Sequence, residues 1–266
     1  MNADPHVDTG SRVQVRPFLD GQARVIEFGA PPGNILDAAL IAELDGCLET
    51  LAGEDGLKLV VLKGAGKHFS YGASVPEHLP GRVEAMLPAF HALLRRMNGL
   101  PLPPLAACVE GRCLGGGFEL ALACDLLQVA SDTRLGLPEI HLGVFPPAGA
   151  VLLGLRAGPG RAMEMILSGR TLEGKEAVAA GIAEWEAPAG QGLATLETWA
   201  RTHLWPHSAA VLRQARRSAR RPWREALEAP LAEVETQYLG ELMETEDARE
   251  GLQAFLEKRK PVWRNR

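Results

Sequence analysis

The sequence has few cysteines, no long apolar run and no excess of positive charge. Only four cysteines occur in 266 residues, none with Cys-x-x-Cys spacing, and they lie in apolar stretches. We therefore expect buried free thiols in a reducing compartment. No run of about 18 apolar residues predicts a transmembrane helix. The polar residues 1–11 resemble neither a signal peptide nor an anchor, so we expect a cytoplasmic protein without a membrane partner.

The charge balance argues against nucleic acid as a partner. The formal net charge is −5 and the pI is about 5.9, which gives no general attraction to a phosphate backbone. With 46% hydrophobic residues, the chain is typical of a globular protein. We expect one α/β core with an appended segment.

Several catalytic motifs are also missing. The sequence contains no GxGxxG, no GxxxxGK[ST] and no HExxH, so it predicts neither a dinucleotide site, nor a P-loop, nor a zinc site. Around Ser70, histidine replaces the first glycine of the Gly-x-Ser-x-Gly motif, which argues against a serine hydrolase. No metal is predicted.

Two glutamates stand out instead. Glu119 and Glu139 are twenty positions apart, and each follows a turn-forming segment. One carboxylate that accepts a proton from water and one that donates a proton are the minimum needed to add water across a polarised double bond. The glycines at 115–117 precede a predicted helix, where backbone N–H groups can stabilise an oxyanion. Alone, each feature could equally serve helix packing or capping, so the prediction rests on their combination.

The hydrophobic pattern predicts alternating strands and helices in the first half of the chain. Strands at 13–18 and 23–28 form a hairpin, and Asp37 caps a helix that ends near Gly53. Further strands are predicted at 57–62, from 103–104 to 109 and at 125–130, with a helix at 82–97. After residue 148 strand signals fade and helices dominate, the last one capped by Thr245.

These features together resemble one known family over nearly the whole chain. The segments that carry the resemblance are Asn-Ile-Leu (34–36), Lys-His-Phe-Ser-Tyr-Gly-Ala-Ser (67–74), Gly-Gly-Gly-Phe-Glu-Leu-Ala (115–121), Pro-Glu-Ile-His-Leu-Gly (138–143) and Thr-Glu-Asp-Ala-Arg-Glu-Gly (245–251). They are similar to motifs of the enoyl-CoA hydratase/isomerase (crotonase) family. The resemblance implies an α/β fold, a ββα superhelix with a C-terminal helical trimerisation region. It further implies a core at 1–200 with the acyl-CoA site, a helical region at 201–266, and a homotrimer or hexamer.

The resemblance also implies roles for particular residues. The backbone N–H groups of Ala73 and Gly116 would bind the thioester carbonyl oxygen, Glu119 would activate water, and Glu139 would supply a proton to carbon. The acyl-CoA thioester is the substrate, and no further cofactor is implied. Four more positions are expected to contact the substrate: Ser74, Val75, Gly115 and His78.

The substrate is less well defined by the sequence. Residues 69–80 resemble the family's cyclohexa-1,5-diene-1-carbonyl-CoA hydratases, whereas Ser74 and residues 145–150 depart from the common family pattern. A general 2-enoyl-CoA hydratase and an enoyl-CoA isomerase or ring-opening hydrolase stay open as alternatives. A non-catalytic scaffold or RNA-binding homologue is the alternative from another class.

Two further features allow more than one interpretation. Six arginines between Arg213 and Arg224 recur at helical spacing, which predicts a solvated face, a subunit contact, or local attraction for a phosphate-bearing ligand. His141, two residues after Glu139, fits a pocket wall better than a catalyst. For His78, a pocket position and an exposed loop position are equally compatible with the sequence.

Overall fold

The computed structural model describes residues 10–266, so the prediction about a signal segment largely lies outside the described residues. The strands are β1 (Val13–Phe18), β2 (Ala23–Phe28), β3 (Leu59–Gly64), β4 (Leu105–Val109), β5 (Arg112–Leu114), β6 (Leu126–Ala130), β7 (Arg134–Gly136), β8 (Thr171–Glu173) and β9 (Trp185–Ala187). The helices are α1 (Ala38–Ala52), α2 (Val83–Gly99), α3 (Gly116–Leu122), α4 (Pro147–Ala157), α5 (Pro159–Ser168), α6 (Gly174–Ala179), α7 (Gly192–His203), α8 (Ala209–Ala219), α9 (Arg221–Gly240) and α10 (Glu246–Leu256). Short 3₁₀ turns lie at Val75–His78, Pro138–Leu142 and Leu242–Glu244.

The strands form two sheets, and the chain moves between them. The larger sheet has the order β1-β2-β3-β4-β6-β9, antiparallel at β1–β2 and parallel elsewhere. The smaller sheet has the order β5-β7-β8. Strand β4 in the larger sheet is followed by β5 in the smaller one, and β6 is followed by β7 in the same way. With α3 after β5, this alternation produces the predicted ββα unit.

The local signals read from the sequence match the first elements. Strands β1 and β2 have the predicted bounds and pair as a hairpin. The Asp37 side chain accepts a hydrogen bond from Leu40 N at 2.9 Å, and Thr245 caps α10 by accepting from Ala248 N at 3.1 Å. Strand β3 lies two residues later than predicted, since its pairing with β2 fixes its register.

The prediction of a helical chain after residue 148, where strand signals fade, misses β8 and β9, and β5 and β7 were not predicted either. Each of these four strands has only three residues, too few for an alternating pattern to be visible. Their positions depend on partners distant in sequence, such as β6 for β9. They are set by tertiary pairing and not by local propensity.

Two arginines of the run, Arg216 and Arg220, form an internal clamp, whereas Arg217 and Arg221 are exposed, so the prediction of a solvated face holds for only part of the run. The side chains of Arg216 and Arg220 are buried, and both donate to the Asp125 carboxylate, Arg216 Nε to Oδ2 at 2.6 Å. Arg216 also donates to Met97 O at 2.6 Å, and Arg220 donates to Asn98 Oδ1 at 2.8 Å. These bonds fasten α8 to the end of α2 and the start of β6.

The C-terminal helices belong to the same hydrophobic core as the sheets. Helix α9 packs against α2 and α4, and it buries Leu227, Leu231 and Tyr238 in the main cluster. Helix α10 packs against the 3₁₀ turn Pro138–Leu142. Within residues 10–266, no helix has both the length and the apolar character needed to cross a membrane.

Replacing Asp125 by alanine should destabilise the fold strongly, because two buried guanidinium groups would lose their counter-ion. Breaking a buried ion pair in this way costs about 3–5 kcal/mol. Urea unfolding should therefore show a loss of that size in Asp125→Ala. The control Glu225→Ala removes an exposed pair with Arg221 and should change stability by less than about 1 kcal/mol. Equal stabilities of the two variants would contradict the clamp.

Candidate active site

One cavity of about 660 Å³ contains both glutamates singled out in the sequence. Its apolar wall comes from α2, from the segment before α4, and from α10. The predicted site residues that line it are Ala73, Val75, His78, Gly115, Gly116, Glu119 and Glu139, and His141 lines it too. This composition, an apolar surface with few polar groups, is typical of a small-molecule site.

The pairing of two short strands brings the glutamates together. Strands β5 and β7 are parallel neighbours, with Leu114 opposite Gly136. The chain leaves both strands at the same edge, and Gly115 N donates to Gly136 O at 3.0 Å. Glu119 follows β5 on α3, and Glu139 follows β7 on the 3₁₀ turn. Side chains twenty residues apart in sequence therefore reach one cavity.

Glu119 is held in place by a backbone amide. Its side chain is buried, and Oε1 accepts from Gly149 N at 2.6 Å at the start of α4. Burial raises the pKa of Glu119 to about 7, and hydrogen bonds from the Gly149 and Ala148 amides only partly oppose this shift. Near neutral pH, Glu119 can exist with or without its proton.

Glu139 is more strongly biased toward the protonated form. Its carboxyl oxygen Oε2 is buried and has no hydrogen-bond partner among residues 10–266. Burial first, and then the charge of Glu119, raises the pKa of Glu139 well above its ordinary value. Because two carboxylates in one apolar cavity do not ionise together easily, the pair retains a proton around neutral pH.

Gly115 lets the two carboxyl groups share this space. Its φ is +51°, in the region that favours glycine, and a Cβ there would lie 2.7 Å from Glu139 Oε1. Both the backbone conformation and the contact with Glu139 therefore require glycine. The prediction of Gly115 as a substrate contact agrees with its position in the cavity wall.

The chain segments that carry the amides of Ala73 and Gly116 are in close contact. In the bridge between Leu36 and Ala73, Leu36 N donates to Gly72 O and Leu36 O accepts from Ser74 N, at 3.0 and 2.9 Å. The N–H of Ala73 consequently points to the opposite side of the segment. A Cβ on Gly116 would lie 3.2 Å from Ala73 N, which shows how closely α3 approaches. Gly116 is the first residue of α3, so its N–H has no partner within the helix.

The other predicted substrate contacts divide into two groups. Val75 and His78 line the cavity, whereas Ser74 is not among the lining residues found in the described chain. Ser74 O instead accepts from His78 Nδ1 at 2.9 Å. The Nδ1 of His78 therefore carries the proton, and its Nε2 is left as an acceptor. Burial lowers the pKa of His78, which keeps the ring neutral.

Sequence reasoning missed the apolar part of the wall. Met86, Leu87 and Phe90 of α2 face the cavity, and Leu252 and Phe255 approach it from α10. Their helical spacing is the ordinary pattern of core residues. No local signal distinguishes a residue that packs against protein from one that packs against a ligand.

Known proteins resemble this chain in sequence and in fold. The model of the enoyl-CoA hydratase/isomerase family matches residues 21–266. Cyclohexa-1,5-dienecarbonyl-CoA hydratase of Thauera aromatica is 42% identical over 259 residues, covering 97% of this chain and 99% of that protein. A probable enoyl-CoA hydratase of Bacillus subtilis (strain 168) is 34% identical over 255 residues, covering 92% and 96%.

The solved structures agree with this relationship. Carnitinyl-CoA hydratase from Mycobacterium avium superposes with a TM-score of 0.84 at 27% identity, covering 97% of this chain and all of the other. The predicted crotonase-like α/β fold and the predicted enzyme class, an enoyl-CoA hydratase-type lyase, are thereby confirmed. This chain belongs to the enoyl-CoA hydratase/isomerase family.

Proposed function

We propose that this enzyme adds water to cyclohexa-1,5-diene-1-carbonyl-CoA and forms 6-hydroxycyclohex-1-ene-1-carbonyl-CoA. Membership of the family and hydratase relatives support enoyl-CoA hydratase activity. The relative from Thauera aromatica, with 42% identity over nearly both full lengths, supports the cyclic dienoyl substrate. The observation that carries the proposal is the meeting of two buried carboxyl groups with raised pKa values in one apolar cavity.

The reaction balances as a 1,4-addition. A water oxygen bonds to ring carbon C2, and the π electrons move toward the thioester oxygen and along the second double bond to C5. A proton then bonds to C5, and the remaining double bond joins C1 to C6, which become C1 and C2 of the product. The N–H groups of Ala73 and Gly116 are proposed to bind the thioester oxygen. They stabilise the transition state more than the substrate, because negative charge grows on that oxygen.

The two carboxyl groups are suited to different steps. Glu119, whose pKa is about 7, is available as a base near neutral pH, and the Gly149 amide fixes one of its oxygens. We assign it the deprotonation of water. Glu139, whose pKa is raised further, retains the proton that the ring carbon must receive. The proton from water ends on Glu119, and its return to Glu139 closes the cycle.

The apolar side chains of the cavity support a hydrocarbon ring as the acyl group. Met86, Leu87 and Phe90 line the cavity from α2, and Val144 and Phe145 line it from the segment before α4. Contact with such side chains favours a hydrocarbon ring over water. A general 2-enoyl-CoA hydratase, supported by the Bacillus subtilis relative, is the competing assignment.

Glu119→Gln and Glu139→Gln should each lower the turnover number by about 10²- to 10⁴-fold, because each removes one acid–base group and keeps the side-chain shape. Affinity for the thioester should change little. Steady-state kinetics and calorimetric titration with a non-reactive saturated acyl-CoA test the two expectations separately. A variant with near-normal turnover would refute the role assigned to that glutamate.

The purified enzyme should hydrate cyclohexa-1,5-diene-1-carbonyl-CoA with a higher kcat/KM than crotonyl-CoA. A six-carbon ring can bury more apolar surface against the cavity wall than a four-carbon chain can. Loss of ultraviolet absorbance from the conjugated thioester measures both rates. A preference for crotonyl-CoA would favour the general hydratase, and no hydration of either thioester would overturn the proposed function.

The buried carboxyl of Glu119 should also make stability depend on pH. Its pKa is about 7 in the folded state and 4.5 as the ordinary value, so the folded state binds more protons between these values. Stability is therefore lost as pH rises from about 4.5 to about 7. Glu119→Gln should raise the free energy of unfolding by about 1 kcal/mol at pH 5 and about 3 kcal/mol at pH 8.

Urea unfolding at the two pH values measures this difference. The exposed Glu225 provides the control, since Glu225→Gln should leave the pH dependence unchanged. A Glu119→Gln gain that is equal at pH 5 and pH 8 would show that Glu119 titrates normally.

A further inference from the structure

Tyr238 reaches the cavity wall from the C-terminal helical region. It lies near the end of α9, where its side chain is only 1% exposed. Its ring packs edge-on against Phe145, with centroids 5.3 Å apart, and lies 6.5 Å from the ring of His78. Both neighbours line the cavity. The phenol is therefore buried behind the cavity wall and is not exposed to solvent.

The hydroxyl of Tyr238 is a buried donor without an acceptor. Within residues 10–266 it has no hydrogen-bond partner, and the same is true of Oε2 of Glu139. Leaving a buried polar group unpaired is unfavourable by about 1–3 kcal/mol, so such groups usually have a purpose or a missing partner. Tyr238 lies behind the cavity wall and Glu139 lines the cavity, and their two unpaired oxygens do not hydrogen-bond to each other in this structure.

The packing places the phenol near the segment of Glu139, because Tyr238 contacts Phe145 and the adjacent Val144 N donates to Glu139 O at 3.3 Å. Burial raises the pKa of Tyr238, and the negative charge of Glu139 raises it further, with a smaller effect from Glu119. This order means that the hydroxyl senses Glu139 more strongly than Glu119. The raised pKa also means that Tyr238 keeps its proton and can donate a hydrogen bond without being consumed.

Other titratable groups lie around the site. Tyr71 and Arg112 line the cavity and pack on each other, with the guanidinium 5.9 Å from the ring centroid. The N–H of His78 donates to Ser74 O, and His141 packs its ring against Gly169. On α2, His91 pairs with Glu235 of α9 at 2.6 Å. On α4, Arg156 pairs with Glu184 at 2.8 Å. Among the groups named here, Tyr238 carries the one buried hydroxyl without a partner.

We propose that Tyr238 is a positioning residue for Glu139, whose carboxylate accepts a hydrogen bond from the phenol once the glutamate has given its proton to the substrate carbon. This inference rests on the proposed function and deepens it. In the proposed reaction, the O–H bond of Glu139 breaks and the new C–H bond forms at C5. The carboxylate left behind lies in an apolar cavity, where charge is unfavourable unless a donor stabilises it. Tyr238 supplies that donor and itself exchanges no proton.

Tyr238→Phe tests the proposal, since it removes only the hydroxyl. We expect kcat to fall about 10- to 100-fold, the range for one hydrogen bond to a charged group, with little change in KM. Loss of the donor should raise the pKa of Glu139, so the fall in rate on the alkaline side should move to higher pH. A second measurement, the carboxyl ¹³C shift of labelled Glu139 across the pH range, should show the same rise without substrate.

Two controls separate positioning from packing. Trp223→Phe changes an aromatic residue of the same helix that packs over Arg220, and it should leave the pKa of Glu139 unaltered. In a Glu139→Gln background, Tyr238→Phe should cause little further loss of residual activity, because both changes remove one coupled unit.

Three results would overturn the inference. The first is an unchanged kcat and pH profile in Tyr238→Phe. The second is a lower kcat with an unchanged pKa of Glu139, which would indicate a packing role alone. The third is a full additional loss in the Glu139→Gln background. If the wild-type enzyme hydrates neither thioester, the proposed function fails, while the ¹³C titration still decides whether Tyr238 contacts Glu139.

Discussion

The structure depends on keeping two carboxyl groups out of water and close to each other. A buried carboxylate is unfavourable, and a second one beside it makes ionisation of both more so. The fold meets this difficulty with backbone N–H groups of Gly149 and Ala148 at Glu119 and with a glycine that gives Glu139 room. The resulting pair holds a proton at a pH where an exposed glutamate would have none. Reactivity and instability thus arise from the same burial.

The surrounding elements can be understood as support for this pair. Parallel pairing of β5 and β7 brings the two chain segments to one edge, and α4 supplies the amide that fixes Glu119. Helix α9 packs against α2 and α4, and its Tyr238 contacts Phe145 behind the cavity wall. The neighbouring α8 is fixed by the bonds of Arg216 to Asp125 and Met97. The ion-pair clamp therefore fixes α8 to the end of α2, the helix that supplies Met86, Leu87 and Phe90 to the cavity wall.

How much the sequence predicts depends on the range of the interactions. Local signals located the β1–β2 hairpin and the caps Asp37 and Thr245, because each involves neighbours within a few residues. The glutamate pair was also predictable, since its chemistry and its glycines are visible in the chain. The strands β5 and β9 were not, because three residues carry no periodicity and their partners are distant. The arginine run was predicted only in part for the same reason. Helical spacing does not reveal that Arg216 and Arg220 pair with Asp125, about ninety positions earlier in the chain.

The bridge between Leu36 and Ala73 has a consequence for how the site tolerates sequence change. It orients the amide of Ala73, and Gly116 contributes another, so both N–H groups that we propose to bind the thioester oxygen belong to the main chain. Side-chain replacement at position 73 leaves that N–H in place, and only proline deletes it. In the proposed function, binding of the thioester oxygen therefore depends on the path of the backbone, whereas the choice of acyl group depends on side chains. Substitutions in residues 69–80 can therefore change which acyl group the proposed enzyme accepts, while the backbone N–H groups that bind the thioester oxygen are retained.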